Sequence, residues 1–372
     1  MKKNKRAIIF IDLATIEDNF KKLRKFIPRD VKILCVVKAD AYGHGAIQVA
    51  RRLESLHVDY LGVATIDEGI ELRKAGIQSP VLVMSGIFPW DNAIHTHKYS
   101  LTPAVHNFRE LEEIIKICAD GKRLLKVHIK VDTGMGRLGF TPDRLDKVIS
   151  RLKEIQNIEI EGLMSHFSSS EKRDEYGMSQ YMRFKDAIEK VKGWGIKPKI
   201  LHMANSGALL NYREAFFSMV RVGISLYGSY PDSGLWGSLG VKQAMKLISK
   251  IALIKEFPPG CSLSYGGTFV TQKHTRVAYI PVGYADGYPR ALSNKGSVLI
   301  KDHRCSIIGR ICMDWFLVDV TGYEDIHENE DVILLGQSDT DSITADEIAE
   351  VSGTIPYEIL CNIAKRAQRI YV

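Results

Sequence analysis

The chain has 372 residues, of which 45% are hydrophobic and 26% are charged, and its formal net charge at pH 7 is +7. This length suits two domains, or one barrel of about 250 residues with a smaller unit. No uninterrupted apolar run approaches the roughly 20 residues that a bilayer span requires. Lys and Arg are interspersed with acidic residues, and no nucleic-acid-binding motif is present. We therefore expect neither a membrane protein nor a nucleic-acid-binding protein.

The six cysteines lie far apart, and no two of them form a C-x-x-C pair. Their spacing indicates neither a disulfide framework nor a thiolate zinc site, and we predict no bound metal. The first residues, MKKNKRAIIFIDL, resemble the start of a signal peptide, but Asp12 interrupts the apolar stretch after five residues. We expect a first strand at this position and a cytoplasmic protein.

Short apolar runs alternate with amphipathic helical stretches through the first two thirds of the chain. Stretches such as NFRELEEIIKICA have apolar residues near positions i, i+3, i+4 and i+7, which indicates helices. This alternation is typical of repeated βα units around a parallel sheet. Eight apolar runs predict eight strands and therefore a closed (β/α)8 barrel. The runs are residues 31–38, 58–64, 80–85, 99–105, 125–132, 158–165, 197–203 and 218–224.

A different pattern begins after about residue 240. Strand-like segments such as TRVAYIPV and DVILLG follow one another closely, separated by Gly, Asp and Asn, which predicts a second, mostly β domain. Within it, residues 344–353 have capping-box spacing and a closing glycine, which predicts one helix near the end. We divide the chain into a barrel (1–240) and a β domain (241–372). The first strand, at about 6–13, is a candidate to pack with the β domain.

Lys38 is the first candidate for a chemical role. In barrels of this kind the reacting groups lie in the loops after the strands, and Lys38 directly follows the first predicted barrel strand. A lysine there can be desolvated enough to form an imine, and the hydroxyl of Tyr42 lies within reach of an anion. A solvated lysine after a strand is an equally good interpretation of this segment taken alone.

The ten residues VVKADAYGHG around Lys38 resemble the cofactor-lysine motif of alanine racemases, and further motifs extend the resemblance over the whole chain. They occur in the family's order: KVDTGMGRLGF (130–140), SHF (165–167), HMANSGA (202–208), RVGISLYG (221–228), SYGGTF (264–269), PVGYADGYPR (281–290), CMD (312–314) and IPYEILCNI (355–363). The chain departs from the family in residues 167–177 and, more loosely, in 230–244. Neither stretch contains a proposed catalytic residue.

The resemblance implies a pyridoxal-phosphate-dependent racemase of fold type III. It implies a barrel that holds pyridoxal 5'-phosphate and a β domain that completes the active site of a partner subunit, so that a homodimer shares its two sites. The implied reaction is the interconversion of L- and D-alanine, which supplies D-alanine for peptidoglycan.

Racemisation requires a base on each face of the α-carbon, because one side chain cannot remove a proton from one side and return it to the other. The resemblance assigns the proton of the D-isomer to Lys38 and the proton of the L-isomer to the partner's Tyr265. Without the resemblance, a tyrosine beside two glycines is an ordinary aromatic residue of a β-hairpin.

The resemblance also implies the contacts of the cofactor. Gly223 follows the eighth predicted strand, where backbone N–H groups can approach a phosphate. A glycine at a strand end is, by itself, more often only a turn. The residues to which the resemblance gives cofactor contacts, apart from those at the ring, are Lys38, Tyr42, Asn205, Ser206, Gly223, Ile224 and Tyr357.

Arg221 and His166 are the residues expected beside the cofactor ring. Many pyridoxal enzymes place an aspartate against the pyridine nitrogen to keep it protonated. Because an arginine cannot accept that proton, Arg221 should leave the nitrogen unprotonated and suppress transamination. The resemblance gives His166 the role of supporting Arg221 and the catalytic tyrosine. A lone histidine at a strand end is more often structural.

Four residues are expected to contact the substrate. Arg137 has a planar set of donors suited to the substrate carboxylate and to the phenolic oxygen of the cofactor. The resemblance adds Met313, through its backbone N–H, and Tyr284 and Tyr265, all from the partner's β domain. Lys130 matches a lysine that is carbamylated in some relatives to hold the arginine, and we do not assume that modification here.

Two alternative functions stay open on the sequence. One is a racemase of broader specificity, acting on serine or lysine, because one methylene or hydroxyl changes binding in an apolar pocket by only about 1–3 kcal/mol. The other is a non-catalytic protein of pyridoxal phosphate homeostasis, which has no use for a second base. The presence of Tyr265, Tyr284 and Met313 in a full β domain argues against it.

Overall fold

The computed structural model describes residues 6–119, 124–153, 155–363 and 366–372. A parallel barrel is followed by a mostly β region, as the sequence predicts. In the described residues, no helix is both long enough and apolar enough to cross a membrane.

A strand and a helix precede the barrel. They are β1 (Ala7–Ile11) and α1 (Leu13–Phe26). Asp12 lies between them and caps the helix, because its Oδ1 accepts a hydrogen bond from the N–H of Thr15 at 2.9 Å. The residue that interrupts the first apolar stretch of the sequence is therefore the start signal of α1.

Eight of the described strands are parallel and form a nearly closed barrel. They are β2 (Lys32–Val36), β3 (Tyr60–Val63), β4 (Val81–Val83), β5 (Thr102–Val105), β6 (Leu125–Lys130), β7 (Ile158–Met164), β8 (Ile200–His202) and β9 (Met219–Val222). They pair in chain order from β2 to β8, and β9 pairs with β2. The N–H of Ser218 donates to the carbonyl of Leu201 at 3.1 Å, which brings the two ends of the sheet together. Each predicted run contains one strand, so the predicted barrel is confirmed.

Helices alternate with these strands. They are α2 (Lys38–Tyr42), α3 (Ala46–Ser55), α4 (Ile66–Lys74), α5 (Ile94–Lys98), α6 (Phe108–Cys118), α7 (Leu145–Lys153), α8 (Glu175–Gly193) and α9 (Ala208–Asn211). Leu111, Ile114 and Cys118 of α6 are buried, as the predicted spacing requires. Thr65 and Glu68 cap the start of α4 by exchanging side-chain to backbone hydrogen bonds.

The second part of the chain is mostly β, as predicted. Its strands are β10 (Met245–Lys250), β11 (Leu253–Phe257), β12 (Ser262–Leu263), β13 (Phe269–Val270), β14 (Thr275–Ile280), β15 (Ser297–Ile300), β16 (His303–Ile308), β17 (Phe316–Asp319), β18 (Asp331–Gln337), β19 (Ser342–Ile343) and β20 (Gln368–Tyr371). β1 lies in the same sheet, antiparallel to β10 and parallel to β20. The division of the chain at residue 240 stays a prediction.

Two helices lie near the end of the chain, where the sequence analysis predicted one. The predicted helix is α10 (Ala345–Ser352), in which the hydroxyl of Thr344 caps the N–H of Glu347 at 3.0 Å. The second is α11 (Pro356–Asn362), which begins at a proline, a residue suited to the first turn of a helix. Its apolar pattern is too short to predict a helix by periodicity.

Candidate active site

A cavity of about 280 Å³ opens at the carboxyl ends of the barrel strands. Nine of the predicted site residues line it: Lys38, Tyr42, Arg137, His166, Asn205, Ser206, Arg221, Gly223 and Tyr357. They come from five different strand ends and from α11, which lies after the barrel in the sequence. Parallel strands in a closed barrel all end at the same rim, which is why residues so distant in sequence meet there.

Lys38 stands at the start of a left-handed turn. The four residues after it, 39–42, have φ angles of 50 to 54°. This conformation costs roughly 1–2 kcal/mol for each residue with a Cβ atom. Surrounding groups hold the turn: the N–H of Ala39 donates to Glu68 Oε1 at 2.8 Å, and the N–H of Ala46 donates to Asp40 Oδ1 at 2.8 Å. Lys38 therefore leaves the strand in a fixed direction toward the cavity.

Four basic residues line this cavity: Lys38, Lys130, Arg137 and Arg221. Burial and the neighbouring Arg137 lower the pKa of Lys38. Burial, reinforced by Arg221 and Arg137, lowers the pKa of Lys130 to about 8, although Asp132 opposes that shift. A site with this excess of positive charge fits an anionic ligand. The lowered pKa of Lys38 increases the share of the neutral amine, which is the form that attacks a carbonyl carbon.

Arg221 is buried, and both of its Nη atoms donate to acceptors within the barrel. Its Nη2 donates to His166 Nδ1 at 2.8 Å and to two backbone carbonyls, while Nη1 donates to His202 Nδ1 at 3.0 Å. Burial and the charge of Arg137 lower the pKa of Arg221 to about 9, which leaves the guanidinium charged at neutral pH. Burial and the Arg221 charge hold the pKa of both histidines well below the usual value, so both rings are neutral.

The opposite end of the cavity is lined by hydroxyl groups and backbone. The N–H of Gly223 donates to Ser206 Oγ at 3.0 Å, and the ring of Tyr42 packs edge-on against Tyr357 at 5.8 Å. A Cβ atom at Gly223 would lie 2.9 Å from the hydroxyl of Tyr42, so a larger residue there would displace that hydroxyl. Ile224 is buried behind this end and does not line the cavity. Hydroxyl and backbone donors of this kind suit a phosphate.

Comparisons with known proteins identify the family. Residues 11–231 match the family model "Alanine racemase, N-terminal domain", and residues 244–371 match "Alanine racemase, C-terminal domain". The chain belongs to the alanine racemase family. "Alanine racemase 2" of Caldanaerobacter subterraneus subsp. tengcongensis is 40% identical over 364 residues, which are 97% of this chain and 94% of that relative. The family membership that the motifs predict is confirmed.

Solved structures of alanine racemases share the whole fold. The alanine racemase of D-cycloserine-producing Streptomyces lavendulae superposes with a TM-score of 0.95 at 32% identity, covering 100% of this chain and 98% of that one. The alanine racemase of Bartonella henselae, solved with covalently bound pyridoxal phosphate, superposes with a TM-score of 0.89 at 28% identity, covering 98% of this chain and 99% of that one.

Besides Ile224, three predicted residues of this alanine racemase family member do not line the cavity: Tyr265, Tyr284 and Met313. They lie close together in the chain's own β region, because the N–H of Tyr284 donates to the carbonyl of Cys312, and the hydroxyl of Ser264 donates to the carbonyl of Arg310. Their side chains are 71%, 44% and 53% exposed. Large side chains exposed together mark a surface that another molecule covers.

The sequence analysis missed several residues that line the cavity. Met84 and Ser85 extend the third barrel strand, and Met164 ends the sixth. Leu138 follows Arg137 in the loop after the fifth strand. The rule that pointed to Lys38, a residue at the carboxyl end of a barrel strand, also identifies the two methionines. Their side chains are apolar, however, and carry no group that would mark them as chemical candidates.

Proposed function

We propose that this protein interconverts L- and D-alanine, with pyridoxal 5'-phosphate attached to Lys38. The observation that carries the proposal is the cavity in which the amine of Lys38 and the guanidinium of Arg221 face a common space. Membership of the alanine racemase family supports it, as does the pyridoxal phosphate bound covalently in the Bartonella relative.

The residues around the cavity fit this cofactor. The phosphate would be held at the hydroxyl-lined end, and the residues that we assign to it are Tyr42, Ser206, Gly223, Ile224 and Tyr357, while Asn205 would also contact the cofactor. Ile224 would act through its backbone, because its side chain is buried. At the other end, Arg221 would donate to the pyridine nitrogen, and Arg137 to the phenolic oxygen and the substrate carboxylate.

When it is bound, the cofactor supplies an electron sink that acidifies the proton on the α-carbon of the amino acid. Side chains of the protein carry out the proton transfers. The amine of Lys38 exchanges a proton with one face of that carbon, and the phenol of Tyr265 from the partner subunit exchanges one with the other face. Arg221 only donates hydrogen bonds, so the ring nitrogen stays unprotonated and transamination is disfavoured.

A homodimer is required because the second base lies on an exposed surface. Tyr265, Tyr284 and Met313 are far too exposed to serve a site in their own chain, and they do not border its cavity. In a two-fold dimer each chain gives this surface to the other and receives the same surface in return. We assign the backbone N–H of Met313 to the substrate carboxylate and Tyr284 to the narrowing of the entrance.

His166 would connect the two halves of the site. Its Nδ1 accepts from Arg221, and because the ring is neutral its proton lies on Nε2. We assign that N–H as a donor to the phenol oxygen of the partner's Tyr265. The donor would stabilise the phenolate form, which accepts the proton of the L-isomer.

We also propose that the protein acts in the cytoplasm and supplies D-alanine for peptidoglycan. All six cysteines are free thiols, as is usual for proteins of a reducing compartment.

The decisive experiment is circular dichroism of L-alanine, L-serine and L-lysine incubated separately with purified protein and added pyridoxal phosphate. We expect rapid loss of optical activity for alanine alone and none with Lys38→Ala. Comparable loss with serine or lysine would favour a racemase of broader specificity. Bound cofactor without any loss would favour a protein of pyridoxal phosphate homeostasis.

A further inference from the structure

A column of polar side chains extends from Arg221 into the barrel interior. Arg221 Nη1 is 3.0 Å from His202 Nδ1, and His202 Nε2 is 2.8 Å from His128 Nδ1. His128 Nε2 is 3.4 Å from Glu161 Oε2, and Glu161 Oε1 is 2.6 Å from Lys126 Nζ. The four side chains below Arg221 come from strands β6, β7 and β8, and all but Lys126 are buried.

The direction of every hydrogen bond in this column is fixed. A guanidinium only donates, so His202 Nδ1 must accept from Arg221. His202 is neutral, which leaves its proton on Nε2, and His128 Nδ1 must accept that proton's hydrogen bond. Burial also lowers the pKa of His128, so its own proton lies on Nε2 and is directed at Glu161.

Glu161 is the anion at the end of the column. Burial opposes its ionisation, but hydrogen bonds from His128, Lys126 and Tyr60 lower its pKa to about 2. Glu161 Oε2 and His128 Nε2 are both buried and, in the described residues, neither has a hydrogen bond of ordinary geometry to any group. At 3.4 Å the contact is long for a hydrogen bond, but it joins a carboxylate to an N–H donor in a medium of low dielectric constant.

The barrel makes room for this column. A Cβ atom at Gly162, the residue after Glu161, would lie 2.5 Å from His128 Nδ1. The strand pairing of β6 and β7 also shifts by one residue between Val127 and His128. Burying two histidines and a carboxylate inside a barrel is unfavourable unless each is paired, so the column needs a compensating role.

Arg221 lacks a carboxylate of its own. In the described part of the chain its hydrogen bonds go to histidine nitrogens or backbone carbonyls, while Arg137 and Lys130 add positive charge nearby. The carboxylate of Glu161 reaches it only across two neutral imidazoles.

We infer that Glu161, His128 and His202 form a relay that positions Arg221, by fixing the ring tautomers so that only an acceptor nitrogen faces the guanidinium. Glu161 is thus a positioning residue, remote from the reacting atoms. The relay keeps the guanidinium of Arg221 in place at the cavity. Its effect on catalysis rests on the proposed function, in which Arg221 donates to the ring nitrogen of the cofactor. The tautomers themselves are a property of the folded chain.

The substitution Glu161→Gln tests the relay with minimal change of shape. Because Lys126 Nζ donates to Oε1, the amide oxygen of the glutamine should take that position, which turns its NH2 group toward His128. His128 Nε2 must then accept, its proton moves to Nδ1, and His202 must accept at Nε2 in turn. The proton of His202 then faces the N–H of Arg221, which is repulsive.

The measurement is long-range ¹H–¹⁵N NMR of histidine-labelled full-length protein with its cofactor, with peaks assigned from His128→Asn and His202→Asn. In the wild type we expect both rings to be protonated on Nε2 alone, and in Glu161→Gln we expect His128 to be protonated on Nδ1. The control is Glu159→Gln, two residues earlier on β7, where the carboxylate pairs with Lys199 at 2.7 Å on the surface. It should keep the wild-type tautomers.

A second readout separates positioning from simple structural support. We expect Glu161→Gln to form about tenfold more pyruvate per racemisation event than the wild type, because a misplaced Arg221 no longer keeps the ring nitrogen unprotonated. Wild-type rings protonated on Nδ1, or tautomers and pyruvate ratio unchanged in Glu161→Gln, would overturn the relay. If Glu161→Gln does not fold, the tautomers measured in the wild type still test the relay. Because the tautomers are measured without turnover, a protein that has the expected tautomers but does not racemise alanine would contradict only the proposed function.

Discussion

Asp40 and Arg369 form an ion pair, with Oδ2 and Nη2 2.8 Å apart, that joins the turn after Lys38 to the last strand of the chain. Arg369 Nε also donates to the carbonyl of Gly43 at 2.8 Å. The residue that we assign to the cofactor is thus held in place by β20, which lies at the far end of the sequence and pairs with β1.

Replacing Arg369 should loosen this turn. In Arg369→Met the left-handed turn loses an ion pair and a hydrogen bond that hold it in an unfavourable conformation. The ion pair is partly exposed, so we expect a modest effect, about a threefold to tenfold rise in the dissociation constant of pyridoxal phosphate. Fluorescence titration of the cofactor-free protein measures it. Arg51→Met, on the exposed side of α3, is the control, and equal affinity in both variants would contradict this role for Arg369.

Gly43 should tolerate no side chain. Its φ angle is +80°, and a Cβ atom would lie 2.4 Å from the carbonyl oxygen of Leu360 in α11. Because α11 also carries Tyr357, Gly43→Ala would push a cavity residue away as well as strain the turn. We expect a loss of about 3 kcal/mol in the free energy of unfolding, measured by urea denaturation. Gly76→Ala, with a φ angle of +89° and nothing within 4 Å, should lose only about 1 kcal/mol. Similar losses would show that the contact with α11 is unimportant.

The sequence predicts the barrel well because its apolar runs and amphipathic helices are local signals. Each of the eight runs holds a strand, and Thr344 caps its helix as expected. The cavity is predictable from the resemblance to a family. The position of Lys38 at the end of a predicted barrel strand also indicates a chemical role. That position alone cannot distinguish a buried amine from a solvated one.

Other features depend on contacts between distant residues and have no local signal. The left-handed turn at 39–42 contains no glycine, so nothing in the sequence predicts its positive φ angles. His128 and Glu161 look like ordinary residues of strands β6 and β7. Their pairing requires the strand order of the closed barrel and the shifted register beside Gly162. Helix α11 is held by contacts with α2 that no short pattern encodes.

Two inactive variants should restore activity when they are mixed. Lys38→Ala removes the base inside the cavity, and Tyr265→Ala removes the exposed base that we assign to the partner. If subunits exchange freely, half of the dimers are mixed, and each has one site with both bases intact. We therefore expect about a quarter of wild-type racemase activity from an equal mixture. The control is a mixture of Lys38→Ala with Arg221→Ala, whose changes fall in the same cavity and should leave the mixture with far less activity. No recovery after verified subunit exchange would contradict a shared site.

Stability should fall in mild acid because the protein buries neutral histidines. His44 is fully buried, Nδ1 lies 3.0 Å and 2.9 Å from two backbone carbonyls, and burial lowers its pKa to about 4. Between pH 6.5 and 4 the unfolded chain binds a proton at this residue and the folded chain does not. The contribution of this neutral histidine to the free energy of unfolding is therefore fully present above pH 6.5. It is lost as the pH falls, by up to about 1.4 kcal/mol per pH unit for each such histidine.

His44→Asn removes one of the histidines that take up a proton on unfolding. The free energy of unfolding should therefore depend less steeply on pH between 6 and 4.5. Urea denaturation at fixed protein concentration measures the slope. Tyr227→Phe is the control, because it keeps the ring that packs on His44 at 4.5 Å and removes only the buried hydroxyl that donates to the carbonyl of Val36. It should lower stability equally at each pH. A slope that is unchanged in His44→Asn would mean that the folded protein takes up this proton as readily as the unfolded chain.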